Sequence, residues 1–75
     1  MKSADAEILA SSLSAEQRRS LQIVKGRDQA LEPQDIEPEP LVVLMELGLI
    51  RREQLEDQRE LLELTQRGRK VAEFV

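Results

Sequence analysis

The sequence has no cysteine and no histidine among its 75 residues. Without thiols there is no disulfide and no thiolate metal site. Without imidazole the commonest metal ligand and the commonest general base at neutral pH are both missing. Tryptophan and tyrosine are absent too, and Phe74 is the sole aromatic residue, so a core must come from aliphatic side chains. No apolar run approaches the length of about 18 residues that reads as a membrane span, and the N-terminus has no apolar segment of the secretory kind. Residence in the cytoplasm is therefore expected, with no membrane partner. There is no glycine-rich phosphate loop, and the acidic residues of 31–46 lack the spacing of a calcium loop. Carboxylate neighbours such as Glu56 and Asp57 arise by chance in a chain that is 35% charged. Ser11, Ser12, Ser14 and Ser20 read as caps and solvated polar groups. The expectation is a protein that is not an enzyme, with no catalytic residue, cofactor, metal or evident small-molecule ligand.

What is present fits one small domain over residues 1–75, with a stability of a few kcal/mol at most. The net charge is −4, unevenly spread. Residues 1–30 hold five basic and four acidic side chains, whereas residues 31–50 hold five acidic ones (Glu32, Asp35, Glu37, Glu39, Glu46) and no base. Residues 51–75 hold six of each. The middle of the chain therefore repels polyanions, and its last third is dense in charge but balanced.

The densest apolar run is Leu41–Ile50. Pro40 suits a first helical position, where its missing N–H costs nothing. Gly48 suits the left-handed residue that closes a helix, with Leu44 and Leu49 placed for the apolar contact that accompanies such a cap. The run predicts a short helix over 40–47 that stops sharply and passes into extended chain. Upstream, residues 1–12 allow two readings, a frayed terminus or an accessory helix capped by Ser3, with Ile8, Leu9 and Leu13 as an apolar edge. Ser14-Ala15-Glu16-Gln17 has the capping-box pattern and predicts a helix over 14–25, stopped by Gly26, with Leu21 and Val24 inward and Ile23 beside them. Residues 27–39 read as a proline-broken loop, pinned by Leu31 and Ile36, with room for a single turn around Gln34–Glu37.

After Gly48 two readings compete. Ile50–Gln54 and Arg59–Leu64 can pair around a turn near Leu55–Gln58, with Ile50, Leu62 and Leu64 facing the core. Alternatively Arg51–Phe74 is one long helix. Local propensity prefers the helix, because Arg51–Leu64 has no β-branched residue and the turn lacks the glycine or asparagine of tight hairpins. Against it, Thr65 suits the N-cap of a separate helix over 66–74, and Gly68 inside one long helix would cost about 1 kcal/mol.

The string Leu47-Gly48-Leu49-Ile50-Arg51-Arg52, then Asp57-Gln58-Arg59, then Leu64-Thr65-Gln66-Arg67-Gly68-Arg69 resembles the second half of a winged-helix domain of the MarR and PadR regulator types. Residues 41–71 carry the resemblance well and 13–26 loosely. It implies an α+β fold, helices plus a two-stranded β-hairpin wing over 50–64, and so favours the hairpin reading. It also implies that the 40–47 helix occupies the recognition position, that Arg51, Arg52 and Arg59 flank or tip the wing, and that Thr65 caps the helix after it. The chain departs from the pattern twice. The helix before the recognition helix is reduced to a turn or lost. The recognition helix itself offers Val42, Val43, Met45 and Glu46, with no long polar donor for base edges.

Two roles follow. The first is a module for protein contact or self-association, through Val42, Val43 and Met45 with an acidic rim of Glu37, Glu39 and Glu46. The rival to this is that Ile8 and Leu9 fold over the patch and complete the core. The second role is a small DNA-binding regulator that reaches phosphates through Arg18, Arg19, Arg51, Arg52, Arg59, Arg67 and Arg69.

Overall fold

A computed structural model describes residues 2–26 and 31–75. Among them lie helices α1 (Ser3–Ser12), α2 (Ala15–Gly26), α3 (Pro38–Glu46) and α4 (Gln66–Ala72), a 3-10 turn at Pro33–Asp35, and strands β1 (Ile50–Gln54) and β2 (Glu60–Leu64). Residues 27–30 of the expected proline-broken loop lie outside the described chain.

The starts of the elements follow from local chemistry. At α2 the Gln17 N–H donates to Ser14 Oγ at 3.1 Å, and the Ser14 N–H donates back to Gln17 Oε1 at 3.0 Å. Two otherwise orphaned donors are thus satisfied reciprocally. Helix α3 begins at Pro38, two residues before the expected Pro40. The first-turn N–H groups of a helix have no partner within it, so both prolines fit there without losing a hydrogen bond. Its end is as expected. Gly48 stands at φ 75°, the Leu49 N–H donates to Leu44 O at 2.9 Å, and the Gly48 N–H to Met45 O at 3.0 Å. Leu44 and Leu49 are both fully buried, which completes a Schellman closure with its apolar contact. Thr65 caps α4, its Oγ1 accepting from the Gly68 N–H at 2.9 Å.

The chain from Ile50 to Leu64 is an antiparallel hairpin and not a continuation of helix, with Ile50 opposite Leu64, Arg51 opposite Glu63 and Arg52 opposite Leu62. Ile50 and Leu62 are buried and Leu64 packs against the core. Helix propensity is overridden because one face of the pair is anchored in the domain, while a lone helix here would leave those side chains without a common face. The tip supplies what glycine usually supplies through Gln58, at φ 68°. Leu31 extends the sheet by a single bridge, its carbonyl accepting from the Leu62 N–H at 2.7 Å.

The core gathers Leu13, Leu21, Val24, Leu31, Ile36, Leu41, Leu44, Leu49, Ile50, Leu62 and Val71. Helix α1 is formed, but it differs in detail from its expectation. Lys2, not Ser3, stands at the N-cap position, and the helix buries Ala6 and Ala10 while Ile8 is 66% exposed. The helix packs on α4, where Gly68 and Ala72 are also buried. Gly68 has a steric reason to be glycine. A Cβ there would lie 1.9 Å from Leu49 O. Lys25 ties α2 to the same corner, its Nζ donating to Ala72 O at 2.9 Å.

Candidate interaction surfaces

Helix α3 turns Leu41 and Leu44 inward. Leu47 and Met45 are only partly buried but pack against the core. Outward stand Glu39, Val42 and Glu46, with Val43 half-buried beside them. Val42 is 48% exposed. Glu37 and Pro38 continue this surface at the start of the helix. The positions 39, 42, 43 and 46 follow helical spacing and share one face. That face carries two carboxylates and two valines, and no hydrogen-bond donor. Helix α1 packs on α4, and its Ile8 stands in solvent.

Beside this face runs a groove of about 460 Å³, bounded by the first turns of α2 and α3. Pro38, Pro40, Val42 and Val43 form its apolar side, and Glu16 and Glu39 stand on its two walls. Ser14 and Gln17 also line it, with their capping hydrogen bonds already made to each other. Glu16 and Pro38 were not marked by the sequence as site residues. Nothing local distinguishes them, because the groove exists only once two segments some twenty residues apart are brought together.

The hairpin arginines are differently placed from the free cations that the sequence alone counts. Arg51 pairs with Glu63 directly across the strands. Arg52 reaches Glu60 at 3.2 Å along the diagonal, and Arg59 Nε reaches Asp57 at 2.7 Å. The Arg59 N–H also donates to Asp57 Oδ1. That backbone bond, helped by the Arg59 guanidinium, holds the Asp57 carboxyl below the usual carboxylate range. Among the described residues, ion pairs occur only on the hairpin. Arg67, Arg69 and Lys70 on α4 and Arg18 and Arg19 on α2 are exposed.

No protein-family model and no curated protein matches the chain. Among solved structures, it is similar to a transcriptional regulator of the MarR family from Silicibacter pomeroyi, with a TM-score of 0.68 and 26% sequence identity over 95% of this chain. The fold is a winged helix. The β1–β2 hairpin is the wing, and α3 takes the recognition position before it. This chain spans 56% of the regulator's length. Between α2 and α3 the described residues hold only the 3-10 turn Pro33–Asp35. Among the described residues no helix is long and apolar enough to cross a membrane, and no group of three acidic, histidine or cysteine side chains is placed to hold a metal.

Proposed function

We propose that this chain is a non-catalytic binding module on a winged-helix scaffold, which works in a regulatory setting by contact with another protein. The observation that carries the reading is the outward face of α3. A recognition helix that reads bases presents donors and acceptors to the groove edges. Here Glu39, Val42, Val43 and Glu46 would bring carboxylates toward a phosphate lattice with about one charge per 1.7 Å. The same residues suit a protein surface, where exposed aliphatics supply contact area and the acidic rim selects a basic partner. Glu37 extends that rim, while Met45, partly buried, packs against the core.

The wing fits this reading. Arg51, Arg52 and Arg59 are each engaged by a carboxylate of the hairpin, so part of their charge is already met within the wing. Titration of the isotope-labelled chain with mixed-sequence duplex DNA at low salt tests the proposal by NMR. The α3 and wing amides are expected to stay in place. Salt-sensitive shifts of those amides would overturn it.

A second reading is DNA binding through phosphates alone. Two observations favour it: Arg67, Arg69 and Lys70 stand exposed on one short helix, and the similar solved structure is a transcriptional regulator. In that case the same titration moves amides of α4 and of Arg18 and Arg19, and leaves α3 untouched. Affinity then falls with salt at a slope of about −0.9 per phosphate contacted.

A further inference from the structure

The groove between the first turns of α2 and α3 carries an electrostatic feature that narrows what it can hold. Two helix N-termini meet there, and bare N-termini would favour an anion. The residues present work against that option. Pro38 and Pro40 have no N–H to offer, and the Gln17 N–H is already taken up by Ser14 Oγ. Glu16 and Glu39 then set full negative charges in the first turns, against partial positive charges of about one half at each helix end. Among the described residues no cationic side chain lines the groove. Glu37 stands exposed at the N-cap of α3 and Glu46 at its far end, so carboxylates bracket the apolar side formed by Pro38, Pro40, Val42 and Val43.

We infer that this groove is the docking site for a segment of another polypeptide that carries aliphatic side chains between lysines or arginines. Its volume of about 460 Å³ falls within the range of about 300–1,000 Å³ typical of ligand clefts. The aliphatic side chains lie against the prolines and valines, and the flanking cations reach Glu16 and Glu39 on the two walls. A second copy of this chain is a poorer occupant. Joined face to face about a two-fold axis, the two grooves would set the same carboxylates against each other. The inference rests on the protein-contact reading above and specifies its partner.

The test uses the full isotope-labelled chain and three short synthetic peptides of equal length. One is made of leucine with lysine and arginine, one of leucine with glutamate, and one of serine with lysine and arginine. Only the first is expected to bind saturably, with NMR shifts centred on Ser14–Gln17 and Glu39–Val43. Val42→Ser, at an exposed position, should weaken it about tenfold, the equivalent of one exposed-to-buried aliphatic contact. Glu16→Gln with Glu39→Gln should weaken it about fivefold at low salt and flatten its salt dependence. The inference is overturned if the leucine–lysine–arginine peptide does not bind. It is also overturned if either control binds equally well, or if the shifts map to α1 or α4. Sedimentation equilibrium showing a dimer that Val42→Ser dissolves would overturn the occupant in favour of a second copy. Peptide failure removes this inference alone, whereas DNA-induced shifts of α3 and the wing would remove the reading beneath it.

Discussion

At the junction of α3 with α4, backbone groups meet in a space with no slack. Gly48 turns left-handed, the Leu49 carbonyl accepts from the Thr65 N–H at 3.0 Å, and Gly68 sits against that same carbonyl. Thr65 Oγ1 donates to Gly48 O and accepts from the Gly68 N–H. The wing tip, only a few residues away in sequence, has almost nothing buried. It is held by cross-strand hydrogen bonds and by arginine–carboxylate pairs in water. The junction is thus held by shape, and at Gly68 a single added carbon has nowhere to go. The tip is held by charge, where most single changes can be absorbed by solvent.

The largest effect is expected at Gly68. Gly68→Ala forces a Cβ to within 1.9 Å of Leu49 O unless the helix moves, and the obstacle is backbone rather than a flexible side chain. A loss of about 3 kcal/mol is expected, at the upper end of overpacking costs, and for so small a domain that approaches its whole stability. Urea denaturation followed by circular dichroism measures it. Gly26→Ala is the control, since among the described residues nothing lies within 4 Å of the added Cβ. It should change stability by no more than about 0.5 kcal/mol. Equal losses from the two substitutions would break the distinction between a shaped junction and an ordinary helix end.

Next in size is Thr65→Ala, which removes the cap of α4 and the hydrogen bond to Gly48 O together. About 1–2 kcal/mol is expected by the same urea measurement. Thr65→Ser keeps the hydroxyl and should recover most of it. A smaller effect is expected from the strand pair. In a double-mutant cycle of Arg51→Ala and Glu63→Ala, the coupling should stay below about 1 kcal/mol and shrink with added salt, because both side chains are well exposed. A coupling of several kcal/mol that ignores salt would mean the wing is no less tightly determined than the junction.

These two regions also separate what could be read in the residues from what could not. The capping box at Ser14 and Gln17, the closure at Gly48 with Leu44 and Leu49, and the Thr65 cap were all legible, because each is settled by residues within five positions of one another. The hairpin was not legible from propensity, which favours helix over Arg51–Leu64. It was reached through the resemblance, and its physical cause is the anchoring of Ile50 and Leu62 in a core drawn from the whole chain. The inward face of α1 escaped notice because Ala6 and Ala10 are weakly apolar by themselves. They become a buried face only once α1 packs on α4. The groove was illegible for a similar reason, since Glu16 and Pro38 become neighbours only in three dimensions. The pairing of the wing arginines could not be read from their count either, because register, not composition, sets Arg51 opposite Glu63.

The smallest expected effect sharpens the comparison at the tip itself. Asp57 accepts from the Arg59 N–H at 3.2 Å and from Arg59 Nε at 2.7 Å, next to the left-handed Gln58. Its carboxyl is held below the usual range, first by the backbone N–H and then by the guanidinium. A group whose pKa is depressed on folding adds stability above its unfolded value, and that contribution fades as pH falls through the depressed folded value. The turn should therefore be intact at neutral pH and loosen only in acid, below the normal titration of aspartate. Asp57→Asn keeps an oxygen that can accept from the Arg59 N–H, so the turn should survive while its acid transition vanishes. Asp57→Ala removes both bonds and should displace the Arg59 amide shift at every pH, while the backbone bonds from the Leu55 N–H to Arg59 O and the Gln58 N–H to Leu55 O keep the turn closed. The Arg59 amide shift, followed from neutral to strongly acidic pH, distinguishes the three proteins. If the wild-type amide titrates at the ordinary aspartate value, the tip is not held by this carboxylate, and the charge-based half of the comparison loses its best-defined member.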